Sequence, residues 1–259
     1  DTLIGGAGED RLEGGDGADS LDGGSFADRL VGGLGDDTIE GGGNFDTVLY
    51  TGLAAGVSVN LENGSASGGG GTDMLSGVEN VFGSGQADTI YGTNLHGNRL
   101  EGSNGNDTIY GLDGRDTILG GNNDDRILGG ADVDQILGGA GADFLDGGAG
   151  RDFYTGGSGA DNFVFRSIAD TGVGQFARDE VRDFSSAEGD VINLFLIDAD
   201  ANAGGNQAFT VVGSFTGTAG ELTLLNTVKS GVNVTIASMD VDGDALIDGQ
   251  VYIVGTAAA

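Results

Sequence analysis

An aspartate returns every nine residues through much of this chain. It stands at Asp10, Asp19, Asp28, Asp37 and Asp46, then at Asp88, Asp107, Asp116, Asp125, Asp134, Asp143, Asp152 and Asp161. Between Asp88 and Asp107 a ten-residue unit puts Asn98 in that place. Carboxylates are hard oxygen donors, and a row of them suits one task above others, the binding of hard cations. The charge agrees: 41 acidic residues face 10 basic ones, for a net −31. The only Lys is Lys229 and the nine Arg are scattered along the sequence. Phosphate contacts need clustered Lys and Arg, so nucleic acid and anionic lipid are excluded as expected partners.

The aspartates need elements to hold them. Two residues after each comes an apolar side chain: Leu12, Leu21, Leu30, Ile39 and Val48, then Ile90, Leu100, Ile109, Ile118, Ile127, Ile136, Leu145, Tyr154 and Phe163. The repeating unit is a nonamer such as GGAGEDRLE or GLDGRDTIL. Its first six residues read as a turn, because Gly reaches positive φ without steric cost. Its last three are apolar or β-branched and too few for a helix, so they predict a very short strand. One such strand cannot bury its apolar residue alone, but stacked copies can. The pattern therefore predicts an all-β parallel coil with Leu, Ile and Val inside and carboxylates lined up along the turns. Without a counter-ion, that line of like charges repels itself.

These nonamers resemble the GGxGxDxUx repeat of RTX proteins, the hemolysin-type calcium-binding repeat. The resemblance implies a calcium-bound parallel β-roll in which two nonamers complete a coil and Ca²⁺ sits between the turns of repeats n and n+2. Asp107 is then expected to share an ion with Asp125, Asp116 with Asp134, Asp125 with Asp143, Asp134 with Asp152, and Asp143 with Asp161. In the first block the pairs are Asp10 with Asp28, Asp19 with Asp37 and Asp28 with Asp46. Adding Asp1 with Asp19, Asp88 with Asp107 and Asn98 with Asp116, the expectation is on the order of ten Ca²⁺ per chain. The fourth position, normally Gly, holds Phe26, Asn44, Gln86, Asn123 and Asp132 in five nonamers. Asn and Asp tolerate left-handed backbone, whereas Phe26 and Gln86 suit it less well. Asn98 carries no charge, so its site is expected to be weak or missing.

The repeats divide the chain into a first block at 1–49, connecting coils at 50–82, a second block at 83–164 and a C-terminal region at 165–259. In 50–82, alternation at Val57, Val59 and Leu61 predicts a strand and Gly- and Ser-rich 63–72 predicts a turn or loop. Irregular β coils are the expectation, with a flexible linker as the alternative. Candidate strands after the repeats are 190–197, 209–215, 221–226, 232–239 and 250–254. A stack of coils needs a cap, and these strands predict a mainly antiparallel one. The wording FVFRSIADTG, RDEVRDFSSAEGDVINL and DVDGDALIDGQVYIVG resembles the C-terminal region of serralysin-type secreted metalloproteases. In that region Asp240, Asp242, Asp244 and Asp248 match positions 1, 3, 5 and 9 of an EF-hand loop, with Ala245 where Gly belongs and Val251 where the final Glu belongs. Either a further Ca²⁺ or an acidic hairpin turn fits that loop.

Chemistry is absent elsewhere. With His96 the only His and no Cys, there is no HExxH helix, no His-based triad and no thiol nucleophile. No GxSxG elbow or P-loop occurs. The chain itself is thus expected not to be an enzyme. His96 reads as a loop residue, and Tyr154 with Phe163 as core rather than a sugar platform. No apolar run approaches the ~20 residues of a membrane-spanning helix. The chain begins inside a repeat, at Asp1-Thr2-Leu3-Ile4, so a longer parent is expected. The resemblance implies a secreted or cell-surface protein, exported by type I secretion, whose calcium module folds after export beside an N-terminal partner domain. A surface-layer, adhesin or polysaccharide-binding module, self-association, and the tail of a serralysin-like protease are the alternatives. The stretch 255–259 matches the short apolar export signal of that family only loosely.

Overall fold

The computed structural model describes residues 1–174, 176–203, 206–229 and 232–256. The chain forms two compact units, Asp1–Gly129 and Gly130–Ala259, and the division falls within the strand Arg126–Ala131. Among the described residues regular structure is almost all β, with one 3₁₀ turn at Ile168–Asp170. Among those residues no helix is long and apolar enough to cross a membrane.

In the first unit successive nonamers alternate between two sheets. Thr2–Ala7, Ser20–Ser25 and Thr38–Gly43 are neighbours in one, and Arg11–Asp16, Arg29–Leu34 and Thr47–Leu49 in the other. All these pairs are parallel with an 18-residue offset, for example Leu3 opposite Leu21 and Leu12 opposite Leu30. The offset follows from the sequence: two nonamers make a turn of the coil, so each apolar residue lands on the one two repeats away. The second sheet continues as a single column, Leu30 to Val48, Val48 to Val81, Val81 to Leu100 and Leu100 to Ile118. From Leu30 onward every member of that column is 0% exposed. Burying such a side chain stabilises by roughly 1.5–3 kcal/mol, and the column repeats this at every rung.

The segment 50–82 keeps β structure by a different device. Val57–Asn60, Ser65–Gly68 and Gly71–Ser76 form an antiparallel meander inside the first sheet. Its outer strands pair parallel to Thr89–Tyr91 and to Thr38–Gly43, putting Val59 opposite Ile90 and Leu75 opposite Ile39. The stretch 63–72, expected to be turn or loop, contains the strand Ser65–Gly68. Its composition hides it: backbone pairing on both sides makes the strand, and of its four residues only Ala66 is buried.

In the second unit Phe144–Ala149, Asn162–Val164 and Val191–Asn193 form one parallel set, with Leu145, Phe163 and Ile192 in register. The other runs from Gln135–Ala140 through Phe153–Ser158 to Asp179–Ser185, then to Gly249–Thr256. There the direction changes: Gly249–Thr256, Val232–Asp240 and Glu221–Lys229 are antiparallel neighbours, and Thr210–Val212 adds parallel to the edge. The strand Asp179–Ser185 is a structural addition to the five C-terminal strands read from alternation. Tyr154, Phe163 and Phe165 are 0% exposed and meet edge-on, with the Tyr154 ring 6.1 Å from Phe163 and 5.6 Å from Phe165. They fill the core, as the register positions of Tyr154 and Phe163 implied.

Candidate metal centre

Each nonamer turn is built around its aspartate. A Cβ added to Gly14 would lie 2.5 Å from Asp19 Oδ2 and 2.6 Å from the Gly32 carbonyl oxygen. The first Gly of the repeat is therefore bare because the carboxylate occupies the space of a side chain. The second Gly, such as Gly15 at φ +101°, supplies the left-handed backbone that doubles the chain back.

The carboxylates then stack in register. The backbone N–H of Asp10 donates to Asp28 Oδ1 at 2.8 Å, Asp19 to Asp37 at 2.8 Å, and Asp28 to Asp46 at 2.7 Å. Further along the first unit, Asp88 donates to Asp107 at 2.7 Å, Asn98 to Asp116 at 2.6 Å, and Asp107 to Asp125 at 2.8 Å. In the second unit Asp134 donates to Asp152 at 2.9 Å and Asp143 to Asp161 at 3.0 Å. One oxygen of each acceptor is thereby fixed. The other is not. Oδ2 of Asp10, Asp19, Asp28, Asp37, Asp46, Asp107, Asp152 and Asp161 is shut off from water and accepts no hydrogen bond. A buried acceptor without a partner costs about 1–3 kcal/mol, more when charged, so these oxygens call for a cation. Carboxylate oxygens with nearby turn carbonyls are the donor set of Ca²⁺, and the residues fit that ion.

The electrostatics point the same way. Burial lifts the carboxyls of Asp107 and Asp152 to about 7, against an ordinary 3.8, and Asp161 to about 6. Neighbouring acids push further in that direction, Asp88 on Asp107, Asp170 and Asp146 on Asp152, and Asp143 and Asp190 on Asp161, while the backbone N–H donors oppose it. Keeping these groups ionised at neutral pH needs positive charge beside them.

The irregular turns behave unequally. Phe26, expected to suit left-handed backbone less well, adopts it at φ +81°, as Asn44, Asn123 and Asp132 do at +82°, +78° and +78°. Its ring stands 55% exposed, which avoids crowding the turn, and Asp28 keeps its place in the ladder. Gln86 stays out of that region. Ser84 rebuilds its turn, donating from N–H to Asp88 Oδ2 at 2.6 Å and from Oγ to Asp88 Oδ1 at 2.7 Å. Asn98 is likewise self-contained: Oδ1 accepts from the Thr93 N–H at 2.7 Å and Nδ2 donates to the Glu79 carbonyl at 2.7 Å. Asp88 and Asn98 thus lack the orphan oxygen of their neighbours.

Four further acids join the ladder from outside the nonamers. Asp37 donates to Asp73 Oδ1 at 3.1 Å and Asp46 to Glu79 Oε2 at 2.9 Å. Asp152 donates to Asp179 Oδ1 at 2.8 Å and Asp161 to Asp190 Oδ1 at 3.0 Å. The signal for them is a triplet of acid, any residue, apolar residue: Asp73-Met74-Leu75, Glu79-Asn80-Val81, Asp179-Glu180-Val181 and Asp190-Val191-Ile192. The Gly turn is missing, so the nonamer pattern passes over them. Asp73 and Asp190 have both oxygens satisfied, by the Tyr50 hydroxyl and the Ser185 N–H respectively. Asp179 does not: it is 0% exposed, its Oδ2 has no partner, and burial pushes it up to about 9.

The C-terminal acidic loop brings carboxylate oxygens of Asp240, Asp242 and Asp244 within 4.8 Å of one another. Ala245 takes φ +65°, the conformation for which calcium loops use Gly. Asp240 is buried with both oxygens engaged, by Gly243 N–H at 2.7 Å and Ala245 N–H at 3.0 Å. Asp248 stands outside the cluster and accepts from the Val241 N–H at 2.7 Å. His96 lies exposed in a loop, as expected.

A family model described as RTX calcium-binding nonapeptide repeat (4 copies) matches residues 1–30, 14–48, 93–127, 101–136 and 128–163. No curated protein matches the chain. The matched segments carry the ladder of buried, cation-demanding aspartates, and over them the chain is built of RTX calcium-binding nonapeptide repeats.

Proposed function

We propose that this chain is the calcium-triggered folding module of a secreted bacterial protein, which orders after export and stabilises or presents a domain N-terminal to it. The observation that carries the reading is the row of buried aspartate Oδ2 atoms without partners, at Asp10, Asp19, Asp28, Asp37, Asp46, Asp107, Asp152, Asp161 and Asp179. In calcium-poor cytosol these carboxylates repel, and a backbone with 55 Gly loses much entropy on ordering, so the chain stays unfolded and exportable. Millimolar calcium outside the cell supplies the missing charge, in the range of extracellular calcium modules with affinities of about 10⁻⁴ to 10⁻³ M. The chain has no catalytic part in this reading; catalysis, if any, belongs to the partner domain. The C-terminal strands cap the stack, as the serralysin-like wording suggests. Of the stretch 255–259 compared with that family's export signal, 257–259 lies outside the described residues.

Far-UV circular dichroism with EGTA and then with millimolar Ca²⁺ tests the proposal. The expected result is a largely disordered spectrum that turns β on adding calcium. An unchanged β spectrum rejects calcium-coupled folding.

A further inference from the structure

The chain's few cations, scattered in sequence, are gathered by the fold. Arg151, Arg178, Arg182 and Lys229 are four of its 10 basic residues, and all lie around two aromatic rings of the second unit. The Arg151 and Arg182 guanidiniums sit 4.6 and 4.2 Å from the Phe153 centroid. Arg178 and the Lys229 ammonium sit 4.6 and 5.0 Å from that of Tyr252. Arg151, Phe176, Arg178, Glu180, Lys229 and Tyr252 line a concavity of about 360 Å³.

This arrangement is short of negative charge. Glu180 is the one carboxylate in the lining, and it is shared, with Oε2 3.5 Å from Arg151 and Oε1 3.2 Å from Arg182. Arg178 is only 8% exposed, yet among the described residues it has no ion pair. A guanidinium does not give up its proton, so the site holds a nearly buried cation with a like charge beside it. Its guanidinium lies over the Tyr252 ring, and a carboxylate is the partner its N–H fork lacks. At the rim, Phe176 is 82% exposed, a bare ring next to the cations.

We propose that this concavity binds a carboxylate-bearing sugar ring, the chemistry of a uronic acid, with the carboxylate on Arg178 and Lys229 and the ring's C–H face on Phe176. The chain's net −31 selects against polyanions, which it repels at long range, and admits a single negative charge met by local cations. The size agrees, since small-ligand cavities run from roughly 300 to 1,000 Å³. The site lies beyond the nonamers and uses none of the aspartate ladder for contact, so it goes further than the calcium reading while resting on the folded state.

Saturation-transfer NMR on the full chain in millimolar Ca²⁺, with galacturonic acid and galactose as separate probes, tests it. Circular dichroism on the same samples reports folding separately, so a failure of calcium-coupled folding is seen as such. The expected result is transfer to galacturonic acid several-fold stronger than to galactose. It should fall several-fold in Lys229→Ala and in Phe176→Ala, both exposed positions, and stay unchanged in Arg29→Gln in the first unit. Arg178→Met should abolish it. Four results overturn the proposal: no transfer, equal transfer to galactose, full transfer in folded Lys229→Ala and Phe176→Ala, or loss of the galacturonic acid signal on adding an equal concentration of inorganic phosphate.

Discussion

The Asp152 N–H donates to Asp179 Oδ1 at 2.8 Å, although 27 residues separate the two and Asp179 belongs to no nonamer. The ladder thus continues past the last repeat on a strand of different composition, where burial pushes the Asp179 carboxyl up to about 9. Removing Asp179 separates its two tasks. Asp179→Ala should raise the calcium midpoint of folding, reduce the bound ions, and leave the Asp152 N–H unpartnered at a further cost of about 1–3 kcal/mol. Asp179→Asn keeps an acceptor without the charge. It should lose the ion as Ala does, yet fold more readily than wild type when calcium is absent at pH 8. Calcium titration of the three proteins followed by circular dichroism checks this. Equal calcium-free folding of wild type and Asp179→Asn would count against it.

Asp124 and Asp125 are adjacent acids with different surroundings. Asp125 is buried and accepts from the Asp107 N–H at 2.8 Å, whereas Asp124 is exposed. Asp125→Ala should raise the calcium midpoint several-fold and lower the ion count, while Asp124→Ala shifts it only as one surface charge does. Equal shifts in a titration of both would mean that the acids act as a diffuse field.

The calcium-free chain should respond to acid in the direction opposite to most proteins. Asp107, Asp152, Asp161 and Asp179 have folded-state values raised to about 7, 7, 6 and 9 from 3.8. The folded chain therefore binds protons more tightly than the unfolded one. That contribution is fully present below about pH 4 and is lost as pH rises through 6 to 9. In EGTA, β structure should be greater at pH 5 than at pH 9. With calcium present the order reverses, because protons compete for the same oxygens. Circular dichroism across pH in both buffers reads the crossing.

Leu30→Ala should act without touching a ligand. Leu30 is 0% exposed between Leu12 and Val48. The cavity should cost about 2–5 kcal/mol, read as a lower melting temperature in saturating calcium, with the ion count of the refolded protein unchanged.

Metal analysis of the calcium-saturated chain should find on the order of ten ions, with Mg²⁺ a poor substitute because it demands a rigid octahedral shell. Two or fewer would reject the ladder as a metal centre.

The repeats were legible because one short pattern carries both burial and chemistry. Leu12, Leu30 and Val48 announce the column, and Asp10, Asp28 and Asp46 the ladder, at the same 18-residue offset. The nonamer pattern passes over Asp179 because it requires the Gly turn, while the structure keeps only the acid and the following Val181, which lands opposite Tyr154. Ser65–Gly68 has no alternation of apolar residues to reveal it and exists through its neighbours' backbones. The grouping of Arg151, Arg178, Arg182 and Lys229 is a product of tertiary structure, since the sequence spreads them over 79 positions.

The hydrogen bond from Asp37 to Asp73 spans 36 residues where 18 is the rule. The meander between them absorbs the surplus as extra strands, and its tip at Glu62 and Asn63 is exposed. Such a seam makes the gene tolerant of length change in one place and intolerant elsewhere. Codons inserted at that tip extend a hairpin and leave the acids on either side in phase. A single codon deleted inside a nonamer would turn every later side chain of its strand to the opposite face, exposing the apolar column and burying the wrong residues. Length variation among descendants of this chain should therefore collect at the seam, and the nonamers should be gained or lost in pairs.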